Sequence, residues 1–110
     1  MIVAEIYKQG DGKIIGFSVD GHSNQDKHGY DIYCAAVSMI SSSVFLCVRD
    51  HLKRDFDWDA AHGKLMMKLK EKPDDLTEVA FQTLLIGMRE VERQAPKIVK
   101  VEEKILGGET

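Results

Sequence analysis

Residues 31–48, DIYCAAVSMISSSVFLCV, decide how the rest of the chain is arranged. Apolar residues recur there at helical spacing, through Ile32, Ala36, Ile40, Val44 and Val48, joined by Val37 and Leu52. The uncharged part is shorter than the roughly 20 apolar residues that a membrane span needs, and it carries four serines. We therefore predict a buried core helix, with Asp31 as its N-cap.

Alternating apolar residues lie before this helix. Ile2, Ala4 and Ile6 alternate with their neighbours, and the alternation resumes from Ile15 to Val19 after two glycines. This pattern predicts a β-hairpin. Residues 20–29, DGHSNQDKHG, are polar and without period, which predicts a surface loop leading into the helix.

A second hairpin and a second helix are predicted after residue 55. Apolar residues occupy every second position on both sides of His62-Gly63. They are Phe56, Trp58 and Ala60 before it and Leu65, Met67 and Leu69 after it. Asp75 with Glu78 resembles a capping box. The helical face that follows comprises Leu76, Val79, Ala80, Thr83, Leu84, Met88 and Val91, and it stops before Pro96.

A last strand closes the series, with Val99, Val101 and Ile105 on one face. The order ββ-α-ββ-α-β places hairpins between helices, which is typical of an α+β fold with a mainly antiparallel sheet packed with two helices. At 110 residues the chain is the size of a single domain, 1–110.

Composition narrows the function classes. Hydrophobic residues make up 44% and charged residues 30%, as in ordinary globular domains. A net charge of −3 gives no basic excess, so we expect no direct nucleic-acid binding. The opening MIVAEIYKQG lacks the features of a signal peptide. We therefore expect a cytoplasmic protein that does not enter a membrane.

The chain has two cysteines, Cys34 and Cys47. On one helix they lie about 20 Å apart along the axis, far beyond disulfide reach. Both are predicted to be free thiols. Cys47, within the apolar series, is predicted to be a buried structural residue.

Cys34 is the candidate nucleophile. A thiol near a helix N-terminus is stabilised as thiolate, the reactive form, by the partial positive charge there. Backbone N–H groups at Cys34, Ala35 or Ala36 are candidates for holding an oxyanion. His22, across the loop, is the candidate base. Residue chemistry alone leaves a buried structural thiol and a merely exposed histidine open as alternatives.

The motif around these residues resembles a known family. This motif looks like the signature of the bacterial ribosomal-processing cysteine proteases, the Prp family. It consists of Gly21-His22-Ser23, a polar loop, Gly29 and then Asp31-Ile32-Tyr33-Cys34-Ala35-Ala36-Val37-Ser38. Chain length and element order also match. Ser23 stands where the family usually carries Ala.

The resemblance implies catalytic Cys34 and His22, with Gly21, Gly29, Asp31 and Ser38 as supporting residues. It also implies a homodimer that needs no cofactor. The expected reaction removes a short N-terminal extension from the precursor of large-subunit ribosomal protein twenty-seven, after an aromatic or hydrophobic residue. Asp31 is expected to orient His22, to cap the helix, or both.

Three hypotheses are alternatives to a cysteine protease. A metal site from His22, His28, Cys34, His51 or His62 fits no ligand spacing, so no metal is expected. A redox sensor would need a resolving cysteine near Cys34. A non-catalytic ribosome-associated module that binds a nascent ribosomal protein stays as the alternative function.

Overall fold

The computed structural model describes residues 1–21, 30–61 and 63–106, apart from the side chains of Tyr30 and Asp31. Its elements follow the predicted order. They are β1 (Ile2–Lys8), β2 (Ile14–Asp20), α1 (Tyr30–Leu46), a π-helical turn (Cys47–His51), β3 (Phe56–Ala61), β4 (Lys64–Leu69), α2 (Asp75–Gln94) and β5 (Val99–Ile105). The α+β class is confirmed.

The strands form a five-stranded sheet within the described ranges, in the order β3-β4-β2-β1-β5. Neighbours are antiparallel except β1 and β5, which run parallel. A parallel neighbour needs a long crossover, and α2 supplies it by carrying the chain from the end of β4 to the start of β5. The mainly antiparallel sheet is thus as predicted.

Both helices pack on the same face of the sheet. Phe17 of β2 meets Phe81 of α2 edge to face, with ring centroids 6.2 Å apart, and Phe45 of α1 meets Phe56 of β3 at 5.4 Å. Every second residue of β1 is buried in this layer, namely Ile2, Ala4 and Ile6. This period of two is what a sheet with one packed face requires.

The opposite sheet face is polar. Tyr7 Oη lies 2.9 Å from Glu5 Oε1 and 3.0 Å from Ser18 Oγ, and Lys104 Nζ donates to Glu5 Oε2 at 2.8 Å. The bond from Lys104 holds the pKa of the Glu5 carboxyl below its usual value. A charged network of this kind suits a face without a covering layer.

The two helices are antiparallel. Ile40, midway along α1, packs against Gly87 so closely that a Cβ there would lie 3.2 Å from the Ile40 Cδ1. Further along α1, Cys47 faces Val79, near the start of α2. The N-terminal half of α1 therefore lies beside the C-terminal half of α2.

The N-cap of α2 lies one residue before the predicted one. The Asp74 side chain accepts from the N–H of Leu76 and Thr77, and the Thr77 hydroxyl accepts from the Asp74 N–H, forming the capping box. The prediction of Asp75 with Glu78 was wrong. Glu78 Oε1 instead accepts from the Ile14 N–H at 2.9 Å, so it ties α2 to β2.

The predicted helical faces were also partly wrong. Ile32 is 71% exposed, and Leu76 and Val79 are exposed to a similar degree. The buried stripe of α1 is rotated from the predicted one and comprises Cys34, Val37, Ser41, Val44, Phe45 and Val48. On β5, Val99 and Val101 enter the core but Ile105 is exposed. Apolar residues cover more than one side of these elements, so periodicity alone does not identify the buried one.

The helical stretch Ile32–His51 is long and apolar enough to cross a membrane, with a mean hydropathy of 1.6. The core helix of a soluble domain can have the same length and hydropathy. This stretch packs the buried stripe of its surface against the sheet and α2. The predicted core role is confirmed for that stripe. Its outer side is apolar and exposed, at Ile32, Met39 and Leu46.

Candidate active site

Cys34 lies in the N-terminal part of α1, as the fifth helical residue. It is 4% exposed and belongs to the core cluster, on the same stripe as Val37. Ser38 follows one turn later and is half-buried. The structure thus places Cys34 and Ser38 together on the sheet side of the helix.

The helix begins at Tyr30, so Asp31 is its second residue and not the N-cap. An acidic residue in the first helical turn still interacts favourably with the helix dipole. The contacts of the Asp31 side chain, like those of His22 and Gly29, lie outside the described residues. Whether Asp31 orients His22 therefore stays a prediction.

The earlier start of α1 also changes the candidate oxyanion donors. Ala35 and Ala36 lie beyond the first turn, where N–H groups donate to carbonyls four residues earlier. The N–H groups without an intrahelical partner belong to the first turn, at residues 30–32. Ala35 and Ala36 as oxyanion donors stay a prediction, and their position inside the helix argues for the first-turn amides instead.

Gly21 joins β2 to the segment that carries His22. Its φ is +98°, a backbone conformation that favours glycine, and its N–H donates to the Gly63 carbonyl at 2.9 Å. A Cβ at this position would lie 2.5 Å from the Met1 carbonyl oxygen. The path of the main chain therefore requires glycine at position 21, and its supporting role in the site stays a prediction.

Gly21 and the N-terminal half of α1 lie at one end of the sheet. The carbonyl of Ala95, just after α2, accepts from the N–H of Val99 at 3.0 Å, which places the end of α2 beside the starts of β5 and β1. Gly21 packs against Met1 at this same end. Because α1 is antiparallel to α2, its N-terminal half with Cys34 lies there too.

The second thiol is in a different environment. Cys47 is half-buried and lines an apolar groove between α1 and α2 with a volume of about 410 Å³. Both cysteines are free, as predicted. The expectation that Cys47 is buried was wrong, because its side chain borders this groove and is only half-buried. The two thiols thus differ both in burial and in their distance from the start of α1.

Within the described ranges, His, Cys, Asp and Glu side chains form no group of three or more that could hold a metal ion. Of the residues weighed as ligands, His22, His28 and His62 lie outside those ranges. His51 lies one helical turn from Cys47 and lines the same groove, away from Cys34.

Sequence reasoning overlooked the exposed edge of the sheet. Trp58 is 59% exposed on the edge strand β3, which the alternating pattern of that strand did not indicate. Its position in an alternating series gave no sign of which strand would be the edge, since strand order is a long-range property.

Comparison with known proteins identifies the class of protein to which this geometry belongs. Residues 1–100 match the family model described as "Cysteine protease Prp". The chain therefore belongs to the Prp family of cysteine proteases. One relative, the ribosomal processing cysteine protease Prp of Staphylococcus aureus, is 24% identical over 106 residues, which cover 94% of this chain and 100% of the relative.

Solved structures show the same fold. The S. aureus Prp in complex with a substrate peptide superposes with a TM-score of 0.87 at 20% identity, covering 94% of this chain and 100% of that one. The same enzyme with a covalently linked product peptide gives 0.84 at 21% identity, with the same coverage. The predicted family is thus confirmed.

The role of Gly21 is testable against a matched glycine. Gly12 also has a positive φ, +92°, but a Cβ there would meet nothing within 4 Å. We expect Gly12→Ala to cost about 1 kcal/mol from backbone strain alone. Gly21→Ala should cost on the order of 1–3 kcal/mol more, because the clash with Met1 adds to the strain. Urea unfolding of both variants measures the difference, and equal losses would contradict the steric role.

Proposed function

We propose that this chain is the endopeptidase that removes the short N-terminal extension from the precursor of large-subunit ribosomal protein twenty-seven. Cys34 is the nucleophile and His22 the base. The observation that carries this proposal is the position of Cys34 near the start of α1, within the span that matches the protease family. The ribosomal-processing activity of the S. aureus relative supports the substrate.

The reaction follows from the chemistry of these two side chains. The Cys34 thiolate attacks the scissile carbonyl carbon, and first-turn N–H groups of α1 together with the helix dipole stabilise the oxyanion. The His22 imidazolium then protonates the leaving amine, and a thioester with Cys34 forms. His22 next takes a proton from water, the resulting hydroxide attacks the thioester, and the acid product leaves.

Access to the thiol is part of this proposal. Since Cys34 is 4% exposed, a peptide carbonyl reaches its sulfur only when neighbouring groups move aside. Movements that open and close a site around substrate are common in enzymes. We propose that the loop from Ser23 to Tyr30 closes over the bound peptide. Residues 23–29 and the Tyr30 side chain lie outside the described residues.

The setting of the reaction is proposed as well. We place the enzyme in the cytoplasm, where precursors of ribosomal proteins are made, and we expect it to use no cofactor. The net charge of −3 is compatible with attraction to a basic precursor protein and disfavours direct contact with RNA.

The two thiols provide a direct test. Cys34→Ala should abolish conversion of the extended precursor to the mature protein, measured by mass, and should leave the far-UV circular dichroism unchanged. Cys47→Ala is the matched control on the same helix, and it should keep the parent rate while losing on the order of 1 kcal/mol of stability. Cleavage by the Cys34→Ala variant would refute the protease, and precursor binding without cleavage by the parent would favour the non-catalytic binding module.

The assignment of the base is tested by two histidines of one loop. His22→Ala should lower the cleavage rate about a hundredfold or more, because a general base contributes at least that much. His28→Ala, the competing candidate, should leave the rate close to that of the parent. The reverse ranking would move the role of the base to His28.

We further propose that the enzyme is a homodimer that associates through the outer side of its two helices. This helical surface is defined by its exposed large apolar residues, which are Ile32, Met39 and Leu46 on α1 and Leu76, Val79 and Ile86 on α2. A contiguous apolar patch of this kind is typical of a protein interface. A second copy would present the same patch and cover it with two-fold symmetry.

A charged substitution on the helical surface tests the dimer. Ile86→Glu should convert dimer to monomer, because a carboxylate buried at the interface would lack a partner. Ile105→Glu is the control, since Ile105 is similarly exposed but lies on β5, away from the helices. Light scattering during gel filtration gives the mass of each variant. A dimer that survives Ile86→Glu, and equally Met39→Glu, would place the interface elsewhere.

A further inference from the structure

The two edge strands of the sheet, β5 and β3, differ in whether side chains bond to their outward backbone groups. At the β5 edge, side chains of α2 occupy the place of a further strand. Glu92 Oε2 accepts from the Val101 N–H at 3.0 Å, and Arg89 Nη1 donates to the Val101 carbonyl at 3.2 Å. Arg89 also pairs with Glu103 at 2.7 Å. This edge is closed to another strand.

The β3 edge is open by comparison. Within the described part of the chain, none of the side-chain hydrogen bonds reaches a backbone group of β3. The Lys70 N–H donates to the Asp55 carbonyl at 2.9 Å, which marks Asp55 and Lys70 as a hydrogen-bonded pair. Bonding alternates along antiparallel strands, so the backbone groups of Phe56, Trp58 and Ala60 point outward. An exposed row of donors and acceptors is a template for a further strand.

Trp58 stands in the middle of this open edge. Its side chain is on the helix side of the sheet, since its ring packs edge to face on Phe45 of α1 with centroids 5.8 Å apart. The contact fixes the ring, and 59% of the residue remains exposed. A rigid and exposed aromatic ring next to free backbone groups is suited to contact an apolar side chain of a bound peptide.

The edge leads toward Cys34. Phe45 and Cys34 lie on the same stripe of α1, about 16 Å apart along the axis. From Trp58, β3 continues toward Ala61, which pairs with Lys64 beside Asp20, at the end of the sheet where α1 begins. An extended peptide on the edge would therefore run from Trp58 toward the end of the sheet where the N-terminal half of α1 lies, a distance that about five residues cover along the strand direction at about 3.3 Å per residue.

We propose that an extended segment of the substrate adds to β3 as a further strand, with Trp58 contacting one of its apolar side chains. The inference rests on the proposed function, because it names the docking surface for that reaction. The backbone bonds would hold the peptide in the extended form that presents its scissile carbonyl, and Trp58 would contribute to specificity away from the cleaved bond.

The charges of β3 favour a substrate peptide over a second copy of this chain. If two β3 strands paired about a two-fold axis at Trp58, Asp57 of each would face Asp59 of the other. Like charges directly opposite on paired strands are destabilising. A peptide from a ribosomal protein, which needs basic residues to bind RNA, would instead complement these carboxylates.

A binding experiment tests the role of Trp58. The probe is a synthetic peptide spanning the cleavage junction of the precursor, titrated into the Cys34→Ala variant so that no turnover occurs. Adding Trp58→Ala should raise the Kd about tenfold or more, and Trp58→Phe should restore most of the affinity. Ile105→Ala, equally exposed at the end of the opposite edge strand, should leave the Kd unchanged.

A second measurement tests the strand pairing without altering the protein. Peptides methylated at one backbone nitrogen at a time should lose affinity at every second position, because only alternate amides face β3. Affinity lost at no position, or equally at consecutive positions, would overturn the docking mode. A change of solution mass in Trp58→Ala would also overturn it, since β3 would then be a contact between copies.

The outcomes separate this inference from the proposed function. Failure of the parent to cleave the precursor overturns the function, whereas cleavage with an unchanged Kd in Trp58→Ala overturns only the docking surface. Should Trp58→Ala unfold, the methylated peptides decide the question on the folded Cys34→Ala protein. An alternating pattern there supports the docking even if cleavage is not found.

Discussion

The close packing of α1 against α2 is the constraint on which the site depends. Ile40 meets α2 at Gly87, where a side chain would leave Ile40 too little room. Together with the groove that Cys47 shares with Val79, this contact defines the antiparallel direction of the two helices and their axial register. Since α2 ends where β1 and β5 begin, the same contact sets which end of the sheet receives the start of α1. Cys34 is carried to that end with it.

The chemistry of the site follows from the position of one thiol on a helix. Cys34 and Cys47 are on one continuous helical stretch, and the more buried of the two is the candidate nucleophile. Burial by itself disfavours a thiolate, whereas the N-terminal turn favours it through the helix dipole. Cys47 lies far from that terminus and borders an apolar groove. This electrostatic difference between the two ends of the helical stretch is the physical basis for proposing Cys34, and not Cys47, as the nucleophile.

The sheet contributes through its unequal edges. Glu92 and Arg89 satisfy the outward backbone groups of Val101, and the bond from the Val101 N–H lowers the pKa of the Glu92 carboxyl. On β3 the corresponding groups face outward, beside an aromatic ring held by Phe45. Within the described residues the two edges therefore differ, and the β3 edge is the one for which we propose the addition of an extended peptide.

The sequence by itself determined the elements and the family. Local periodicity, glycines in turns and the stretch from Gly21 to Ser38 were sufficient to predict the order of the strands and helices, the α+β class and the protease family. These features depend on neighbours close in the chain. The cap at Asp74 in place of Asp75 is also local, since its bonds reach only Leu76 and Thr77, and the sequence pattern was misassigned by one residue. The tertiary structure decided what depends on distant residues: the exposed sides of Ile32 and Val79, and the edge position of Trp58. Each of these is set by which surfaces pack together. A helix with apolar residues on several sides carries no local signal of which side is buried. A strand with the same alternating pattern can lie at the centre or at the edge of a sheet.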